Sequence, residues 1–117
     1  RGVRLGVMIC EDMWFPDVAE SLDESGANML IVINGSPFEI DKIDERLNYA
    51  VARVTESKLP LIYVNQVGGQ DELVFDGASF PLGAHCTPSA SAPARAPSVT
   101  CAAWANSTAL VQPIAIE

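Results

Sequence analysis

Met29-Leu-Ile-Val-Ile33 is a continuous, largely β-branched apolar run, preceded by Gly26 and closed by Asn34-Gly35-Ser36-Pro37. Five apolar residues in succession, without alternation, are the pattern of a central strand covered on both faces, and its C-terminal end opens into a loop. Upstream, Arg4-Leu-Gly-Val-Met-Ile9 is a second apolar run that stops at the polar corner Cys10-Glu11-Asp12. Between the two runs, Pro16 carries the fixed φ of a first helical turn, Asp17 and Glu20 suit the positive end of the helix dipole, and Gly26 supplies a stop. A helix is therefore predicted over 16–25. Downstream, Ile43, Leu47, Ala50, Val51 and Val54 follow the i, i+3, i+4 spacing of an amphipathic helix over 41–58, with Asp41, Asp44 and Glu45 near its start. Leu61-Ile-Tyr-Val64 reads as a third strand. Leu73–Phe75 and Ala78–Phe80 read as a hairpin about Asp76-Gly77, a pair that supports a type I′ turn. Strand, helix, strand, helix, strand, hairpin is an α/β order with an antiparallel extension.

The whole sequence has 117 residues, which fits one domain or a piece of one. At 49% hydrophobic and 19% charged it is apolar enough to bury a core. The net charge of −8 repels phosphate backbones, so no nucleic acid and no anionic membrane surface is expected as a partner. No apolar run approaches the roughly 20 residues of a membrane span. The charge is unevenly spread: residues 1–83 hold 14 Asp and Glu against 6 Lys and Arg, whereas 84–117 hold only Arg95 and Glu117. In 84–108, 18 of 25 residues are Ala, Ser, Pro or Thr. The chain divides accordingly into a globular part, 1–83, and an irregular low-complexity tail, 84–117, whose abrupt change of text is what a shifted GC-rich reading frame produces. Cys10, Cys86 and Cys101 form no C-x-x-C pair, and a reducing cytoplasm is the simplest setting.

Cys10 sits where a buried strand gives way to the approach to a helix, a corner that can expose a nucleophile above a sheet. A cysteine at a strand end is more often a small core residue, and a nucleophile further needs a positioned base. The sole histidine, His85, lies at the edge of the tail and makes a weak partner. Glu11 and Asp12 read equally well as a solvated strand end, and Gly68-Gly69-Gln70-Asp71 reads as a turn, since it lacks the Lys-Ser/Thr of a phosphate-binding loop.

Ile9-Cys-Glu-Asp-Met-Trp14, Pro16-Asp-Val18, Asn34-Gly-Ser-Pro-Phe38, Arg53-Val-Thr-Glu-Ser57 with Leu59-Pro60, and the run from Tyr63 to Phe80 resemble the glutaminase domain of the glutamine-dependent NAD synthetases. That domain is a branch of the nitrilase, or carbon–nitrogen hydrolase, superfamily. The resemblance covers about residues 4 to 82. It implies a partial α-β-β-α sandwich, with a mixed β-sheet carrying helices on one face. It implies Cys10 as the nucleophile that attacks the amide of L-glutamine, the Glu11 backbone N–H as an oxyanion donor, and Ser36 and Lys42 as substrate-binding residues. The family triad is Glu, Lys and Cys, with Glu and Lys upstream of the Cys strand. The chain is therefore expected to be an incomplete piece of the enzyme, inactive alone. No cofactor is expected within it; ATP and Mg belong to the family's synthetase domain, a partner in the same polypeptide that amidates deamido-NAD. The full-length family protein is expected to be a homo-oligomer. Two other readings stand beside this one: a different amidase of the superfamily, and a non-catalytic α/β interaction module docking through its acidic helix faces.

Overall fold

The computed structural model describes residues 2–84 and, as backbone alone, 87–88 and 99–100. Strand β1 (Leu5–Ile9) runs into a 3-10 turn (Cys10–Met13) and helix α1 (Pro16–Glu24); β2 (Met29–Asn34), α2 (Lys42–Ser57) and β3 (Leu61–Asn65) follow. Then come β4 (Val67–Gln70), β5 (Leu73–Asp76) and β6 (Phe80–Leu82). The main sheet has the order β1-β2-β3-β6. β1 pairs parallel to β2 from Leu5↔Met29, β2 parallel to β3 from Leu30↔Leu61, and β6 antiparallel to β3 at Tyr63↔Phe80. Parallel neighbours need crossovers, and the two helical segments found in the sequence supply them. A mixed sheet with its helices on one face is thus the observed architecture.

Burial alternates along the strands. Met8, Leu30, Val32, Leu61 and Tyr63 point to the helical side, where they form one core with Ala19 of α1 and with Ala50 and Val54 of α2. Gly6 lets α1 approach closely, because a Cβ there would stand 3.0 Å from Leu30 Cδ2 and 3.1 Å from Leu22 Cβ. The opposite face carries Leu5, Val7, Ile9, Ile33 and Val64, from 40% exposed at Val64 to 66% at Ile9. Cover on both faces of β2, expected from its unbroken apolar run, is met on the helical side only; among the described residues no second sheet lies on the other.

Two expectations are corrected. The hairpin forms one strand earlier: β4 pairs with β5 from Val67↔Asp76 to Gln70↔Leu73, so the chain turns at Asp71-Glu72. Asp71 takes the left-handed φ of 52°, which an aspartate tolerates. Gly68-Gly69-Gln70 is accordingly strand, with the turn beginning only at Asp71. Asp76-Gly77 instead ends β5, and Gly77, at φ 70°, redirects the chain toward β6. On α2 the inward stripe is Arg46, Ala50, Arg53 and Val54, while Ile43 stays 49% exposed. The expected apolar face otherwise holds, with Ala50 and Val54 in the core and Leu47 and Val51 packed against it; Arg46 joins the buried side because it finds an internal carboxylate. In the tail, Thr87–Pro88 pairs antiparallel with Val99–Thr100. His85, Cys86, Cys101 and the rest of 85–117 lie outside the described residues.

Candidate active site

The C-terminal ends of β1 and β2 face one cavity of about 290 Å³. Cys10, Glu11, Ser36 and Lys42 all line it, joined by Trp14, Arg46 and Tyr63 among others. Its volume is near the lower end of the roughly 300–1,000 Å³ of small-molecule sites. A second cleft of about 260 Å³ lies between α1 and α2, lined by Glu20, Asp23 and Glu56 and sharing no lining residue with the first.

Cys10 is a free, half-buried thiol whose backbone sits at φ 53°, in the left-handed region. An L-residue other than glycine adopts that region at a cost of roughly 1–2 kcal/mol. The turn is clamped on both sides: Ile9 N–H donates to Asp12 Oδ2 at 2.9 Å, and Trp14 N–H donates to the Glu11 carbonyl at 2.9 Å. Asp12 is therefore a structural brace for the elbow, and it is partly buried rather than a solvated strand end. Glu11 follows Cys10 at the start of the 3-10 turn, where first-turn N–H groups lack a partner within their own turn.

Lys42 opens α2 and lies between Glu39, at 3.8 Å, and Glu45, at 3.0 Å. The hydrogen bond to Glu45 holds its ammonium above the usual 10.5, with burial opposing. Its Nζ stands 6.0 Å from the centre of the Trp14 ring, and Trp14 stacks on Tyr49 at 5.8 Å. Both glutamates are largely exposed, so these pairs orient the lysine more than they stabilise the fold.

Ser36 is held from three directions. Its N–H donates to Asn65 Oδ1 at 2.9 Å, its carbonyl accepts from Asn65 Nδ2 and Arg46 Nη2, and its hydroxyl oxygen accepts from Arg46 Nε at 3.2 Å. Arg46, 3% exposed, also meets both Asp76 carboxylate oxygens, at 3.0 and 3.1 Å. Arg46, Asp76 and Asn65 are marked by no motif of single-residue chemistry. The available signal is the stripe of Arg46, Ala50, Arg53 and Val54 at helical spacing, which places two cations on the buried side of α2.

Tyr63 is 1% exposed and stacks on Phe80 at 4.9 Å. Burial pushes its phenol above the usual 10.0, with Arg46 and a hydrogen bond from the Ser36 hydroxyl pulling the other way. The raised value means the folded state prefers the neutral phenol. That stabilisation is whole below the unfolded-state value and is lost as pH rises through the folded one. Tyr63→Phe is expected to lose less stability than the parent between about pH 9 and about pH 11. Equal losses in denaturant titrations at the two pH values would contradict this.

Among the described residues no group of three His, Cys, Asp or Glu is placed to hold a metal ion, and no helix is long and apolar enough to cross a membrane. Residues 1–109 match the family model described as carbon–nitrogen hydrolase, which extends past the compositional change at residue 84. A glutamine-dependent NAD(+) synthetase of Rhodobacter capsulatus is 56% identical over 80 residues, 68% of this chain and 14% of that protein. The structure of glutamine-dependent NAD+ synthetase from Acinetobacter baumannii in complex with ADP superposes with a TM-score of 0.64 at 39% identity, covering 68% of this chain and 15% of that one. An amidase from Nesterenkonia sp. AN1, with the acetamide moiety of fluoroacetamide added covalently at its active-site cysteine, gives a TM-score of 0.58 at 29% identity over 68% of this chain and 30% of its own. The chain thus spans a small part of each protein it matches.

Proposed function

The chain belongs to the carbon–nitrogen hydrolase family, and from that premise we propose that it carries the nucleophile and substrate-binding loop of a domain that hydrolyses L-glutamine. One observation carries this reading: Cys10, at a strained elbow, shares a single cavity with Ser36 and Lys42. The covalent adduct on the cysteine of the Nesterenkonia amidase supports a nucleophilic role for a cysteine in this fold. The Cys10 thiolate sulfur bonds to the side-chain amide carbon of glutamine, and the carbonyl π electrons move onto oxygen. The Glu11 N–H donates to that oxyanion. Collapse breaks the C–N bond and ammonia leaves with the proton that the Cys10 thiol gave up, carried by the glutamate that the family places upstream; water then hydrolyses the γ-glutamyl thioester to glutamate and free thiol. Lys42 and the Ser36 hydroxyl hold the charged head of the amino acid.

The high identity to glutamine-dependent NAD synthetases supports ammonia as a product handed on, within one polypeptide, to an ATP-dependent amidation of deamido-NAD. Gly68 and Gly69 lie in the exposed strand β4; ATP and Mg belong in this reading to the synthetase domain. No step of the hydrolysis passes through either group.

The test uses the intact gene product. Glutamine is expected to be hydrolysed at least about 100-fold more efficiently than propionamide, because two charge-assisted contacts of about 1.5–3 kcal/mol each recognise only the amino acid. Comparable efficiencies for the two amides would favour a general amidase and sink the glutaminase reading.

A further inference from the structure

Arg46 lines the cavity, yet most of its donors are spent inside the protein. A guanidinium has five N–H donors and no acceptor. Nε donates to Ser36 Oγ, Nη1 to the two carboxylate oxygens of Asp76, and Nη2 to the Ser36 and Pro37 carbonyls at 3.0 and 2.9 Å. The two Asp76 oxygens share one Nη1–H, so four of the five N–H groups are committed within the protein. Asp76 also neutralises the charge, and with Arg46 only 3% exposed the pair is an internal one. Lys42, in contrast, pairs only with exposed glutamates and keeps its ammonium at the cavity wall.

We infer that Arg46 is the positioning residue of this site: it fixes the Ser36 loop and, by donating to Ser36 Oγ, leaves the serine hydroxyl hydrogen for the carboxylate of an amino-acid substrate. Because a guanidinium accepts nothing, the Ser36 hydrogen is left to the acceptors at the cavity wall: the Tyr63 phenol oxygen until a substrate carboxylate takes its place. A carboxylate, unlike an ammonium, can use it. The two substrate-facing donors then divide the work, Lys42 supplying charge and Ser36 direction. Lysine cannot replace Arg46, since a single ammonium cannot reach the Ser36 hydroxyl, two carbonyls and Asp76 together. The inference rests on the glutaminase reading.

The experiment compares Arg46→Lys and Asp76→Asn with the parent, each as the intact gene product. The readouts are kcat and KM for glutamine and the rate at which iodoacetamide, which has no ionic head, alkylates Cys10. Arg46→Lys is expected to raise KM about tenfold or more, with kcat and the alkylation rate changed less than about threefold. Asp76→Asn is expected to move KM the same way by a smaller factor; the double variant Arg46→Met, Asp76→Ala, which leaves no orphaned charge, is expected to raise KM at least as far as Arg46→Lys and decides the matter if the single variants do not fold. An unchanged KM in the folded variants overturns the inference, as does a joint collapse of kcat, KM and alkylation, which would mark a structural role only. A parent that shows no saturable glutamine hydrolysis overturns the glutaminase reading and takes this inference with it. A parent that does, beside variants with unaltered KM, overturns the role of Arg46 alone.

Discussion

Cys10→Ala in the intact gene product is expected to lower glutamine hydrolysis by about 10⁴-fold or more, the usual consequence of deleting a covalent nucleophile. The size follows from the chemistry: without sulfur no thioester forms, and the remaining cavity only binds and orients. Glutamine affinity should survive, because Ser36 and Lys42 serve the other end of the substrate, away from the sulfur. Fold should survive too. Alanine and cysteine face the same left-handed penalty at φ 53°, and the Asp12 brace to Ile9 N–H does not involve the thiol. The decisive measurement is ammonia release at saturating glutamine, with glutamine protection against thermal unfolding as the binding readout. Residual activity within tenfold of the parent would place the nucleophile elsewhere, and would revive the reading of Cys10 as a small packing residue.

Asp76→Ala is expected to cost about 3–5 kcal/mol of stability, the largest single effect on the fold. The residue removed is modest, but what it leaves behind is a guanidinium in a pocket with no counter-charge. The neighbouring carbonyls of Ser36 and Pro37 cannot neutralise it, and Asn65 loses its 3.5 Å contact to the same carboxylate. Arg46→Met combined with Asp76→Ala should cost less than Asp76→Ala alone, since removing both charges leaves no orphan. Denaturant midpoints of the single and double variants check the ordering. A loss under about 1 kcal/mol for the single change would mean that water reaches Arg46 and that the pair behaves as a surface one.

The order of strands and helices is readable in the sequence because its signals are local. Pro16, the spacing of Leu47, Ala50 and Val54, and the run Met29–Ile33 each fix an element from residues a few positions apart, and the structure places those elements within a residue or so: Pro16–Glu24, Lys42–Ser57, Met29–Asn34. The hairpin escapes a local reading because Asp76-Gly77 is the strongest local turn signal, whereas Val67-Gly-Gly-Gln70 carries little strand propensity. What outweighs the local preference is tertiary: Asp76 serves Arg46, thirty residues earlier in the chain. The same distance hides the network behind Ser36. Composition and spacing alone leave Cys10 a core residue and Lys42 a surface lysine. Their meeting in one cavity, with Glu11 and Ser36, follows from the family resemblance and not from periodicity.

The web around Ser36 draws on five separate stretches: the loop after β2, helix α2, the end of β3, the end of β5 and the turn before β6, where Ser79 Oγ accepts from Asn65 N–H. Apart from the local bonds of Arg46 to Ser36 and Pro37, its bonds cannot close until β2 and β3 are in register and the β4–β5 hairpin has folded back over the loop, where Phe38 N–H meets the Val74 carbonyl at 2.7 Å. Contacts that wait on such loop closures come late in folding. Weakening them should therefore quicken unfolding while hardly slowing folding. On a growing chain the order is sharper still. The thiol at residue 10 is made before residue 79, the last member of the web, so the reactive atom exists before the walls that teach it selectivity.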